Sequence, residues 1–334
     1  MARRIIRKLS ESCDKFPSSL FITGVTGREE DPTFGGGYGD IYRASCNNVP
    51  VALKRLRYFI RGSELRRIRA KFCREALLWR DLNHPHILPF LGIDSSTFSS
   101  TLCMVSPWME HGTVMRYLKE HGHADVDKLA SLFIPQGLQY LHSRHVVHGD
   151  LRGNNILITQ DWRACLADFG LSVVSNATSS MSTNRGGSVY WMAPELLDSD
   201  RFGFDFARTP ASDVYAYGCV CLELYTGKPP FAGLREPAAL LRVLGGERPD
   251  RPLTPPLMSD TLWQHITTYW VETPAARPET QLVVQNMVWP TLTQADSPSA
   301  ESNEISKEYA PGSRGSMAKL FGVGIYKPKV CSLL

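Results

Sequence analysis

The apolar residues change their rhythm along this chain, and the change divides it. Residues 20–109 read as strand-rich: Val51-Ala52-Leu53-Lys54 is a short strand, and Thr33-Phe34-Gly35-Gly36-Gly37-Tyr38-Gly39-Asp40-Ile41-Tyr42 is two strands joined by a glycine-rich turn. One helix interrupts them at Ser63–Asp81. There Leu65, Ile68, Phe72, Leu77 and Leu78 share roughly one face, with Glu75 among them. A hinge falls near Ser106–Gly112. Beyond it the periodicity is mainly helical to about residue 290, with Asp213–Thr226 a long example. Pro229, Pro230, Pro249, Pro252, Pro255 and Pro256 mark loops between the later helices. After Pro290 Ser, Glu, Gly and Pro dominate, which predicts a disordered tail over 291–334. Residues 1–19 are a leader. Their basic start, Arg3-Arg4-Ile5-Ile6-Arg7-Lys8-Leu9, has the spacing of a short helix; a mitochondrial presequence is the alternative.

Composition narrows the class. With 334 residues and 43% hydrophobic positions the chain can bury a sizeable core in two domains or two lobes. A net charge of +4 is too mild to argue for nucleic acid. Eight cysteines are scattered with no C-x-x-C pair, which predicts reduced thiols in the cytoplasm rather than a disulfide frame or zinc site. Glu223 interrupts the best candidate for a membrane span.

Two polar runs carry the chemistry. His148-Gly149-Asp150-Leu151-Arg152-Gly153-Asn154-Asn155 and Asp168-Phe169-Gly170 supply an aspartate that can take a hydroxyl proton, an asparagine that can hold a metal, and an aspartate that can bridge metal to phosphate. Phosphoryl transfer asks mainly for positioning and for cations that absorb charge, so these runs read as a phosphotransferase.

Order and spacing extend that reading. The glycine-rich turn, Val51-Ala52-Leu53-Lys54, the Asp150 loop, Asp168-Phe169-Gly170 and Trp191-Met192-Ala193-Pro194-Glu195 follow one another as in the eukaryotic protein kinase domain, which residues 20–290 resemble. The resemblance is strongest to the tyrosine-kinase-like group, and to single-domain kinases of mushroom-forming fungi through Cys73-Arg74-Glu75-Ala76-Leu77-Leu78-Trp79, His84-Pro85-His86-Ile87-Leu88-Pro89-Phe90 and Val105-Ser106-Pro107-Trp108-Met109. It implies an α+β bilobal fold: a small antiparallel lobe of five strands and one helix (residues 20–107), and a larger helical lobe (108–290), with ATP between them. It also implies Mg²⁺ and a protein substrate.

The resemblance assigns roles residue by residue. Lys54 would hold the ATP α- and β-phosphates, with Glu75 as its ion-pair partner. Asp150 would orient the substrate hydroxyl, Arg152 would neutralise phosphate charge, and Asn155 and Asp168 would hold Mg²⁺. Gly36, Gly37, Gly39 and Ile41 would cover the nucleotide. Ala52 and Leu157 would sandwich the adenine, with Ser106 as a small gatekeeper. Pro107 lacks an N–H but keeps its carbonyl, and Met109 offers an N–H to the adenine edge. Ser188 would face the substrate, Glu195 would pair with Arg277, and Asp213 would anchor the catalytic loop from beneath. Trp79, Phe90, His148 and Phe169 would stack between the lobes.

The chain departs from the family twice. Phe34 stands where the first loop glycine belongs, which predicts weaker nucleotide binding. Gly149 replaces the arginine that usually receives an activation-loop phosphate, so switching of that form should be absent, although residues 171–188 are rich in Ser and Thr. These departures are the only support for a pseudokinase. The H-G-D run also occurs in aminoglycoside- and choline-type kinases, but those lack the Trp191–Glu195 run and Asp213-Val214-Tyr215-Ala216-Tyr217-Gly218. Gly187-Ser188-Val189-Tyr190-Trp191-Met192 favours Ser/Thr acceptors, while Arg152 also suits a tyrosine or dual-specificity enzyme. Finally, Cys331-Ser332-Leu333-Leu334 fits a geranylgeranylation box, and the basic residues near it predict peripheral membrane attachment through Cys331.

Overall fold

A computed structural model describes residues 16–36, 39–55, 63–98, 101–123, 125–169, 189–203 and 206–287; for 63–71 only the backbone is described. Ser188, Gly37, the Ser/Thr-rich segment, residues 1–15 of the leader and the tail with Cys331 lie outside these residues.

The small lobe is one antiparallel sheet. Its strands are β1 (Val25–Thr26), β2 (Phe34–Gly36), β3 (Gly39–Cys46), β4 (Val49–Arg55), β5 (Gly92–Asp94) and β6 (Cys103–Pro107). They run in the order β1-β3-β4-β6-β5, with β2 also on β3. The expected five strands are thus six segments. β1 pairs with Ser45 and Cys46, and β2 with Gly39 to Ile41, so they are two pieces of one edge strand. Gly27, at φ 63°, and the Asp31-Pro32 turn break that edge between them.

Side chains alternate across a strand, and this sorts β4. Val51 and Leu53 join Tyr42, Ala44, Phe98, Cys103 and Val105 in a small core on one face. Ala52 and Lys54 therefore take the opposite face, beside Ser106 and Met104 of β6 in the register. The helix α1 (Ser63–Arg80) lies on that side: its Phe72, Cys73, Ala76 and Leu77 share a core with Met104 and Ile93.

The large lobe is helical: α2 (Val114–His121), α3 (Ile134–Ser143), α4 (Pro194–Leu197), α5 (Pro210–Thr226), α6 (Glu236–Leu244), α7 (Asp260–Tyr269) and α8 (Thr280–Met287). A hairpin of β7 (Ile156–Ile158) and β8 (Ala164–Leu166) follows the loop at residues 148–155. The long helix α5 lies at the centre, packed against α2 and α7. Fourteen consecutive residues of α5, Ser212–Tyr225, are buried, as expected of a helix that is apolar all round and central. Its start is fixed by a reciprocal cap between Thr209 and Ser212, and its end by Gly227 in the left-handed region. Only two of those buried α5 residues are acidic, Asp213 and Glu223. Burying a carboxylate is costly unless donors surround it, so each must have found donors.

Candidate active site

Asp213 has found three. Its carboxylate accepts the backbone N–H groups of His148 and Gly149, both at 2.8 Å, and its Oδ2 pairs with His142 Nε2 at 2.9 Å. Glu223, near the other end of α5, accepts the Gly153 N–H at 2.8 Å and the Trp191 indole N–H at 2.9 Å. Burial pushes its carboxyl up to about 7, against the pull of those two donors. A Cβ on Gly153 would lie 2.5 Å from Met115 Sδ and 3.0 Å from the Glu223 carboxyl carbon, so a larger residue there would have to displace these side chains. Residues 148–153 are thus suspended from one helix at two points.

Within that loop Asn155 holds Asp150. The Asn155 Nδ2 donates to the Asp150 carbonyl at 2.7 Å and to its carboxylate at 2.9 Å, which leaves the Asn155 side-chain oxygen available as a ligand. Arg152 Nε stands 3.7 Å from the same carboxylate. His148 is wholly buried, which lowers its pKa despite the nearby carboxylates, and its Nδ1 accepts the Asp150 N–H at 3.3 Å.

Lys54 reaches across from β4. Its Nζ pairs with Asp168 Oδ1 at 2.5 Å. Burial alone would lower the Lys54 pKa, but the charges of Asp168 and Glu75 outweigh it and raise it. Asp168 is held below its ordinary value because the Lys54 ammonium overcomes its burial. Here the expected pairing is corrected: Glu75 is buried on α1 near the ammonium, yet among the described residues the ion pair of Lys54 is with Asp168. A buried carboxylate, Glu75, and a half-buried one, Asp168, compete for one cation. The left-handed backbone of Asp168 (φ 55°) belongs to the geometry that wins. Glu75, pushed up to about 7 mainly by burial, is the cheaper of the two to leave without a direct partner, since it can hold a proton.

The remaining expected residues fall around this centre. Ala52 faces Ser106 in the β4–β6 register, and Val51 faces Pro107. Leu157, partly buried on β7, bridges to Thr113. Met109 accepts the Gly112 N–H through its carbonyl. Gly36 and Gly39 pair with each other across the glycine-rich turn, and Ile41 pairs with Phe34. The interlobe stack is present as a continuous column. Phe90 lies 5.2 Å from Trp79, Trp79 lies 5.8 Å from Phe169, and Phe169 lies 6.3 Å from His148, ring centre to ring centre. Glu195 and Arg277 form a buried two-pronged pair at 2.6 and 2.8 Å. Sequence reading missed His142, Gly153 and the donor pair on Glu223. Glu223 had been visible only as a charge interrupting an apolar helix.

Comparison with known proteins agrees with this geometry. Residues 33–287 match the family described as protein tyrosine and serine/threonine kinase, and the chain belongs to that family. It is 34% identical over 236 residues to cytokinesis protein sepH of Aspergillus niger, covering 69% of this chain and 16% of that protein. It is 34% identical over 223 residues to cell division control protein 7 of Schizosaccharomyces pombe, covering 65% of this chain and 20% of that one. Against serine/threonine/tyrosine-protein kinase HT1 of Arabidopsis thaliana it is 31% identical over 254 residues, covering 75% and 62%. The chain therefore spans between about a sixth and three fifths of these relatives.

Proposed function

We propose that this chain is an active protein kinase that transfers the γ-phosphoryl group of ATP to Ser or Thr hydroxyls of protein substrates. The observation that carries the reading is the Asp150–Asn155 pairing. It fixes the carboxylate that receives the hydroxyl proton and leaves an oxygen free on the same asparagine. That oxygen and the Asp168 carboxylate form a hard donor set of the kind Mg²⁺ prefers, and two protein oxygens suffice when phosphates complete the shell. Mg²⁺ held there would neutralise charge on the phosphates. Lys54 supports the same site by placing an ammonium against Asp168. Arg152, beside Asp150, adds a second permanent positive charge on the catalytic loop.

Nothing in the backbone at Phe34 argues for a dead enzyme. Phe34 sits in β2 and is absent from the positive-φ positions, so no glycine is required there. A reducing, cytoplasmic setting is part of the proposal, supported by Cys46, Cys103, Cys165, Cys219 and Cys221, none of which is in a disulfide.

The test is phosphoryl transfer from ATP and Mg²⁺ to generic protein substrates, with Asp150→Asn beside the wild type. Transfer that drops about 10²–10⁴-fold in the variant, while nucleotide binding persists, supports the reading. Equal transfer by both proteins sinks it. Phosphoamino-acid analysis of the product decides between Ser/Thr and dual specificity.

A further inference from the structure

Phe34 was expected to weaken the glycine-rich turn. The structure gives it a neighbour instead. Its ring stacks on that of Trp108, with centroids 6.2 Å apart and planes 24° apart. Trp108 directly follows β6, and its backbone N–H donates to the Pro50 carbonyl at 3.1 Å. Arg43 of β3 lies over the Trp108 ring at 5.3 Å, and Arg43 Nη2 pairs with Glu110 at 2.6 Å. The backbone of Trp108 is thus tied to β4's Pro50, and its indole is covered by a guanidinium that Glu110 in turn holds.

Neither ring belongs to either apolar core, and Phe34 keeps 46% of its surface exposed. Folding alone does not account for an aromatic pair at this place. The pair does join two parts that the rest of the sheet leaves separate: the short edge strand β2, which ends in the glycine-rich turn, and the segment between the lobes.

We infer that Phe34 and Trp108 form a clasp that holds the edge strand β2 against the interlobe segment, and that the clasp retains the adenine nucleotide in the cleft. Phe34 is then a positioning residue for the nucleotide. This rests on the ATP reading above. Stacked aromatic pairs contribute enough beyond their burial to shift an equilibrium about twofold to tenfold, and affinity differences of that size fall mostly in the dissociation rate.

The experiment uses the full chain as wild type, Phe34→Ala, Trp108→Ala, the double variant and Phe34→Tyr. Hydrogen exchange of β2 and the start of β3 is measured first, without nucleotide. Dissociation of a fluorescent Mg²⁺–ADP analogue follows, then the KM values for ATP and for a peptide substrate. We expect each single alanine variant to speed exchange and dissociation about twofold to tenfold. The double variant should be no faster than the faster single, because the two rings act through each other. Phe34→Tyr should behave as wild type, and KM should rise for ATP but not for the peptide. Unchanged β2 exchange in Phe34→Ala, or additive effects in the double variant, overturns the clasp. A wild type that binds no Mg²⁺–nucleotide overturns the retention role together with the ATP reading, whereas the exchange measurement decides the clasp separately.

Discussion

The floor and the roof of the cleft are built on opposite plans. The floor, residues 148–155, hangs from two buried carboxylates of α5 and is cross-tied by Asn155. Every tie is a hydrogen bond with a charged or buried partner, which makes each one expensive to lose. The described part of the roof is a three-residue edge strand with one half-exposed aromatic contact. Few of its contacts are buried, so it sits at the low-stability end of the molecule, where opening costs little. Phosphoryl transfer needs the acceptor and the base fixed relative to each other, whereas nucleotide must enter and leave. The division of rigidity follows that need.

Several substitutions can break or sharpen this contrast. The largest effect should come from Asp213→Ala. It strips the acceptor from two backbone N–H groups and from His142, and should cost about 3–5 kcal/mol in denaturant unfolding, with transfer lost in parallel. Glu223→Gln tests the second suspension point through pH. An acid whose pKa is higher in the folded chain binds its proton more tightly there, so stability falls as pH climbs from the ordinary glutamate value of 4.5 through about 7. The amide oxygen of Gln can still accept both N–H groups. The variant should therefore lose this slope and be more stable than wild type by about 1–3 kcal/mol at pH 8, with little difference at pH 5. Equal slopes for the two proteins in pH-dependent melting would show that the Glu223 charge is not what burial penalises.

Thr209→Ala removes one arm of the α5 cap and should lower stability by about 1 kcal/mol, read as a shift in denaturation midpoint. Phe34→Ala should move global stability least, within about 0.5 kcal/mol, because its ring is outside both cores. If Phe34→Ala destabilises the fold more than Thr209→Ala does, the roof is part of the global unfolding unit and the contrast drawn above fails.

Much of the site was legible because its chemistry tolerates few residue types. Lys54, Asp150, Asn155 and Asp168 stood in order at fixed spacing, and so did Glu195, Arg277 and Asp213. The partner of Lys54 was not legible, since the choice between Glu75 and Asp168 is settled by distances across the cleft that no spacing encodes. Glu223 was read as an interruption because sequence shows the charge and not the donors that surround it. Phe34 was read as a missing glycine, and its stacking partner lies more than seventy residues away on another element. The split first strand was hidden for a simpler reason: the two pieces meet β3 at its opposite ends.

The suspension of the floor from α5 also sets when a newborn chain becomes competent. His148 and its acceptor Asp213 are 65 residues apart, and Gly153 and Glu223 are 70 apart. Contacts of such separation form only after the intervening chain has been gathered, which delays them relative to local structure. On a ribosome, the catalytic motif emerges well before the helix that gives it shape. A chain arrested between the two carries every residue of the motif in order and still lacks the scaffold that aims them.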